Sequence, residues 1–148
     1  GNVGWGENLH PTRLTADEQY THISLWSLLA SPLLIGCDIA SMDDFTLNLL
    51  SNDEVNAINQ DAAGKQAIRV IKKDNYQVWV KELEDGSRAV GIFNVGEKYE
   101  NIRVDWEELG LTGKFSIMDC WRQKDLGTGS NYTGRIPPHG VSLLKISQ

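Results

Sequence analysis

A change of hydrophobic period near residue 63 limits the folds open to this 148-residue chain. Before that point apolar residues recur at helical spacing, and after it they alternate one by one. Side chains repeat every 3.6 residues around a helix and every two along a strand, so one pattern cannot serve both. The chain is therefore expected to join two structural regimes end to end.

The first regime opens with Thr15-Ala16-Asp17-Glu18. This is a capping box, in which the threonine hydroxyl accepts an orphan N–H and the glutamate reaches back. It predicts a helix running to about Ala30, with Tyr20, Ile23, Trp26 and Leu29 at helical spacing. Leu25 and Leu28 make the later turns apolar on nearly all sides, which implies deep burial. Pro32 stops the helix. Leu33-Leu34-Ile35-Gly36 then reads as a short strand covered on both faces, because it is apolar without alternation. Ser41-Met42-Asp43-Asp44 and Ser51-Asn52-Asp53-Glu54 predict two further helix starts. Helix, buried strand, helix is the repeating unit of an α/β barrel, yet one and a half units cannot close one.

The second regime is complete in itself. Tyr76, Val78 and Val80 alternate with Gln77, Trp79 and Lys81, and Glu84-Asp85-Gly86-Ser87 turns the chain into a returning strand from Ala89 to Val95. Trp79 shares a face with Gln77 and Lys81 and is expected to look away from the core. Further strands are predicted at 68–72, 100–105, 114–120, 131–136 and 140–147. Gly110, Gly113, Gly127, Gly129 and Pro137-Pro138 punctuate them. Seven or eight short strands argue for an antiparallel β-sandwich.

Charge marks the same boundary. Residues 1–63 carry one basic side chain, Arg13, against nine acidic ones, while 64–148 carry 13 basic and 11 acidic. No basic stripe exists, so a nucleic-acid partner is not expected. No apolar run spans a bilayer: Leu25 to Ile35 is broken by Ser27, Ser31 and Pro32. Cys37 and Cys120 match no zinc spacing and read as free thiols, which leaves the compartment open.

Three stretches resemble glycoside hydrolase family 27, the alpha-galactosidases and alpha-N-acetylgalactosaminidases. Trp26-Ser27-Leu28-Leu29-Ala30-Ser31-Pro32 through Gly36-Cys37-Asp38-Ile39 is similar to the family's seventh helix and eighth strand. Asn52-Asp53-Glu54-Val55 through Asp61, followed by Gly64-Lys65-Gln66, resembles the last barrel helix and the crossing into the C-terminal domain. Trp121 to Gly127, with Pro137-Pro138-His139-Gly140-Val141, is similar to the close of the family's sandwich. "Gly-Cys-Asp-Ile" looks more like an alpha-galactosidase than its N-acetyl relative. Departures are Asn56 at an apolar position, Ala62-Ala63, Cys120 for a common leucine, and a longer loop from Trp5 to Arg13.

The resemblance implies a fold class: a remnant of a (β/α)8 barrel, with its last strand and helices, over 1–63. An all-β antiparallel Greek-key sandwich follows over 64–148. It also implies a parent that removes terminal alpha-linked galactose from galactose-containing oligosaccharides or glycoconjugates, with retention. Such chemistry uses two carboxylates roughly 5–5.5 Å apart, and water suffices beside them. In the family both catalytic aspartates, and a sugar-binding aspartate, lie upstream of Gly1-Asn2-Val3-Gly4. No catalytic residue, cofactor site or metal site is therefore carried onto this chain, and the chain alone is expected to be inactive. Its expected partner is the missing barrel portion, or a second copy through self-association. Alternatives for the sandwich are a carbohydrate-binding module and a purely structural docking domain. For the parent, the family allows secreted, periplasmic or lysosomal locations.

Several side chains invite a sharper reading, and a plainer one stands beside each. Asp38, at the expected mouth of the eighth strand, is either a pocket-floor group or a carboxylate satisfied by backbone N–H groups. Asp43/Asp44 and Asp53/Glu54 resemble acid/base pairs, but first helical turns favour anions anyway. Trp5, Trp79, Trp106, Trp121 and Tyr132 are sugar platforms or packing groups. His10, His22 and His139 have no ligand spacing, and His22 is expected to meet Glu18 one turn earlier. Asn131-Tyr132-Thr133 is a glycosylation sequon with no bearing outside a secretory pathway.

Overall fold

In a computed structural model of the chain, residues 2–3, 10–36 and 38–148 are described. Trp5 and Cys37 lie outside them. The strands β1 (Asn2–Val3) and β2 (His10–Pro11) pair antiparallel ahead of helix α1 (Ala16–Leu28). The capping box forms as the sequence predicts: Glu18 N–H donates to Thr15 Oγ1 at 3.2 Å and Thr15 N–H to Glu18 Oε2 at 2.8 Å. The helix closes two residues before Ala30, which turns away with φ of 52°. Helices α2 (Asp44–Leu50) and α3 (Asp53–Asn59) follow, capped by Asp43 and Asn52.

The apolar run Leu33–Gly36 is not a strand here. It has no ladder partner, and Leu34 and Ile35 are 90% and 56% exposed. A strand is held by bonds to a neighbour rather than by its own sequence, and no described strand runs beside this one. A tight turn, Ile39–Ser41, succeeds it.

The remaining strands are β3 (Ile68–Lys72), β4 (Tyr76–Glu82), β5 (Arg88–Asn94), β6 (Glu100–Asp105), β7 (Phe115–Asp119), β8 (Lys124–Gly129), β9 (Asn131–Ile136) and β10 (Val141–Ser147). Six form one sheet in the order β3-β4-β5-β10-β7-β8, and β6 pairs with β9 in a second. All pairings are antiparallel. The β4–β5 turn needs Gly86, whose φ is 81°. β8 has no counterpart among the strands expected from sequence: Lys124-Asp125-Leu126-Gly127-Thr128-Gly129 shows no apolar alternation. It is an exposed edge strand held by its register with β7.

The central strands of the large sheet are covered on both faces. On its inner face Val78, Ile92, Phe115 and Leu144 meet Val104 and the fully buried Trp106, which follows β6. Trp106 Nε1 donates to Gly129 O at 2.9 Å, so the ring's polar atom is satisfied inside the core. On its outer face Ala89, Phe93 and Leu143 pack against Leu28 of α1 and Val55 and Ile58 of α3. Trp79 sits on that outer face as expected, but helices rather than solvent lie beyond it.

Candidate functional site

The carboxylates that could pose as acid/base groups are engaged in local structure. Asp38 accepts Ala40 N–H at 3.0 Å and Ser41 Oγ–H at 2.7 Å, and these bonds hold its carboxyl below the usual range. Asp43 accepts Thr46 N–H at 2.7 Å and is likewise lowered by that bond. Asp44, Asp53 and Glu54 occupy first helical turns. The carboxyls of Glu18, Asp38, Asp43, Glu82, Asp85 and Asp105 are all pulled down by the hydrogen bonds they accept. A general acid at neutral pH needs the opposite, a carboxyl raised by burial or by a like charge. Among the described residues no cluster of His, Cys, Asp and Glu is arranged to hold a metal ion.

The aromatic groups pack. Trp121 Nε1 donates to Ser24 Oγ at 2.8 Å, and its ring meets Tyr20 edge-on at 4.7 Å. Trp79 donates to Gln77 Oε1 at 3.3 Å beneath the Arg69 guanidinium. Tyr132 leans on the inner core, with its hydroxyl 3.1 Å from Ser142 Oγ. His22 does not meet Glu18, whose carboxylate is taken by Thr15; its ring lies edge-on to Trp26 at 4.7 Å. His10 is exposed, and His139 contacts Glu97 at 3.2 Å.

What the fold does build is a junction between the helices and the outer face of the large sheet. Asn52 caps α3 by accepting Val55 N–H at 3.1 Å. Its amide also donates to Cys120 O at 3.1 Å and Trp121 O at 3.2 Å, in the turn between β7 and β8. Thr21 Oγ1 donates to His139 O at 2.7 Å, and Ala67 N–H to Leu28 O at 2.8 Å. Asp61 receives Glu84 N–H at the crossing between the regimes. Asn56, a departure from the family pattern, donates to Leu50 O at 3.0 Å and so ties α3 to α2. Cys120, another departure, is fully buried there, and burial pushes its thiol up to about 12. At Gly91 a Cβ would stand 2.5 Å from Leu28 Cδ1, so α1 approaches the sheet where a side chain is missing.

The centre of the junction is Lys81, on β4, fully buried. Its ammonium donates to Ser27 O at 3.3 Å and to Ile58 O. Burial lowers its pKa, and Asp61 opposes that shift. Alternation along β4 assigned Lys81 to the outer face but gave no sign that this face would be covered. The partners that cover it lie 54 and 23 residues away in the chain.

Beyond the junction, α1, the segment after it and α2 present apolar side chains outward. Trp26, Leu34, Ile35, Ile39 and Leu47 are all exposed, Ile39 by 69%. A separate open groove of about 810 Å³ runs from α1 past Asp119, Trp121 and Arg122 to Tyr132.

An antiparallel sandwich with a helical flank docked on one sheet is the architecture these residues define. Residues 73–146 match the model of the alpha galactosidase C-terminal beta sandwich domain, and residues 9–61 that of alpha galactosidase A. Alpha-galactosidase 2 of Arabidopsis thaliana is 41% identical over 91% of this chain and 35% of its own length. A probable alpha-galactosidase of Dictyostelium discoideum is 38% identical over 88% and 36%. Among solved structures, a GH27 β-L-arabinopyranosidase from Geobacillus stearothermophilus covers the whole chain, with a TM-score of 0.91 at 31% identity and 35% of its own length. Alpha-galactosidase I of Mortierella vinacea covers 91% of this chain and 36% of its own, with a TM-score of 0.86 at 29% identity. The chain belongs to glycoside hydrolase family 27, the alpha-galactosidase family. It spans about a third of the length of these relatives.

Proposed function

We propose that this chain is the C-terminal portion of an alpha-galactosidase-like retaining hydrolase, with residues 1–63 its last barrel elements and 64–148 its sandwich. In the whole enzyme the substrate is a galactose-containing oligosaccharide or glycoconjugate, cleaved by carboxylates that this portion does not carry. The observation that carries this reading is the exposed apolar segment at Leu34, Ile35 and Ile39, which follows a helix, α1, already docked on the sandwich. An apolar run of that kind is made to be covered, here by neighbouring barrel strands that would also supply the missing ladder. Without them, the segment associates with a second copy.

Two measurements test this. The purified chain is expected to release no product from an aryl alpha-galactoside above buffer, since nucleophilic and general-acid catalysis need their groups present. Turnover that survives repurification overturns the assignment. Light scattering over a dilution series is expected to show concentration-dependent association, and a monomer at every concentration speaks against an orphaned barrel face. A second reading, a sugar-binding sandwich, rests on the groove beside Trp121 and Tyr132. Titration with galactose separates the two, because only the second reading expects heat of binding or shifts at those residues.

A further inference from the structure

A lysine with no exposure at all is costly to bury. Removing an ammonium from water costs several kcal/mol unless its donors are well met. Lys81 meets two carbonyls, Ser27 O in the last turn of α1 and Ile58 O in the last turn of α3. Helix C-termini carry unsatisfied carbonyls and partial negative charge, and cations are favoured beside them. Neither helix supplies its own: both lack a basic residue in the last turn. One ammonium from the sandwich therefore serves two helix ends. Its strand partner Ala89 is small and fully buried, on the face where the helices dock.

We propose that Lys81 is a positioning residue through which the sandwich sets the register of α1 and α3, and with them the stretch 29–52, α2 included, strung between the two helices. The sandwich is then a template for the last barrel elements and not only a shield. This rests on the reading of 1–63 as barrel elements for its purpose, but not for its geometry. The clamp binds two elements through main-chain carbonyls, so it fixes where each helix ends, which apolar packing alone leaves free to slide. Asn52 works at the other end of α3, gripping the turn after β7, so that helix is held at both termini by the sandwich.

The test is native-state hydrogen exchange on the full chain, comparing the wild type with Lys81→Met and Lys81→Arg. Methionine keeps the buried stem and removes every donor. Exchange in the last turns of α1 and α3 is expected to accelerate about tenfold or more in Lys81→Met, while β5 and β10 stay within about threefold of wild type. Lys81→Arg, which keeps charge and donors, is expected to recover part of the lost protection. Helix protection unchanged in Lys81→Met reduces Lys81 to a packing stem and overturns the proposal. Protection lost equally in helices and strands makes it an ordinary core residue and also overturns it. Should Lys81→Met fail to fold, reductive methylation of the wild type across a denaturant series separates the same outcomes. Lys81 is expected to become labelled where the helix amides open, and labelling only with the strands overturns the clamp. Neither readout involves hydrolysis, so failure here is distinct from failure of the assignment to an alpha-galactosidase.

Discussion

The two faces of the six-stranded sheet are held by different means. On the inner face strands of the same regime meet one another, and the contacts are almost wholly apolar, around Trp106. On the outer face two distant segments meet, and polar groups stud the apolar contact: Lys81 on two helix ends, Asn52 on a turn, Ser24 under Trp121. Apolar burial is non-directional and stabilises many related arrangements. A bond to a particular carbonyl selects one. The inner face shows how a sheet acquires stability, and the outer face how it acquires a defined neighbour.

The largest expected effect tests the inner face. Trp106→Ala removes the largest fully buried side chain and the indole donor to Gly129 O. A loss of about 3–5 kcal/mol in urea unfolding is expected, with all strands affected together. A loss confined to the helices would reverse the contrast between the two faces.

Gly91→Val is the matching test of the outer face. Its side chain would run into Leu28 and Phe93, and overpacking of this kind costs about 1–3 kcal/mol. Helical circular dichroism is expected to melt before the sheet signal. A single coincident transition, equally weakened, would show that the two faces form one cooperative unit.

Asn52→Ala is expected to cost about 1–2 kcal/mol, through the lost cap and the lost bonds to the Cys120 and Trp121 carbonyls. Asn52→Asp restores the cap but not the donors, and is expected to recover only part. Full recovery would mean that the grip on Cys120 O and Trp121 O contributes nothing.

A smaller effect concerns acid. Lys145, with the Ser87 hydroxyl and N–H, holds the Asp85 carboxyl well below the usual carboxylate range. A carboxyl with a depressed folded pKa contributes stability that is complete above its unfolded value, about 3.9, and is lost as pH falls through the folded value. Asp85→Asn is therefore expected to flatten the fall in stability below about pH 4, leaving neutral behaviour nearly unchanged apart from the lost turn bonds. An unchanged acid limb would mean that Asp85 plays no part in acid unfolding.

Cys120 gives the smallest signal and the simplest. With a thiol pushed up to about 12 and no exposure, it is expected to escape alkylation in the native chain and to react once unfolded. Peptide mapping after labelling reads this directly, and native labelling would show that the outer face opens readily.

Elements with a local cause were legible in the chain before it folded. Thr15 and Glu18 announced α1 because their bonds close within four residues, and the stretches Ser41–Asp44 and Ser51–Glu54 announced α2 and α3, whose caps are Asp43 and Asn52. Tyr76, Val78 and Val80 announced a strand because alternation is a property of the strand itself. Family identity was legible in Trp26 to Ile39 and in Trp121 to Val141. The failures are equally instructive. Leu33–Gly36 has the composition of a buried strand, yet here it lacks the ladder that makes one. β8 has no strand composition at all, yet it has β7 beside it. In the candidate site, Asn52 was visible only as part of a helix start, and Lys81 only as an outward side chain. That a second surface covers the sheet emerges on folding alone, because burial of Lys81 depends on carbonyls from two helices far along the chain, and no local pattern records a distant partner.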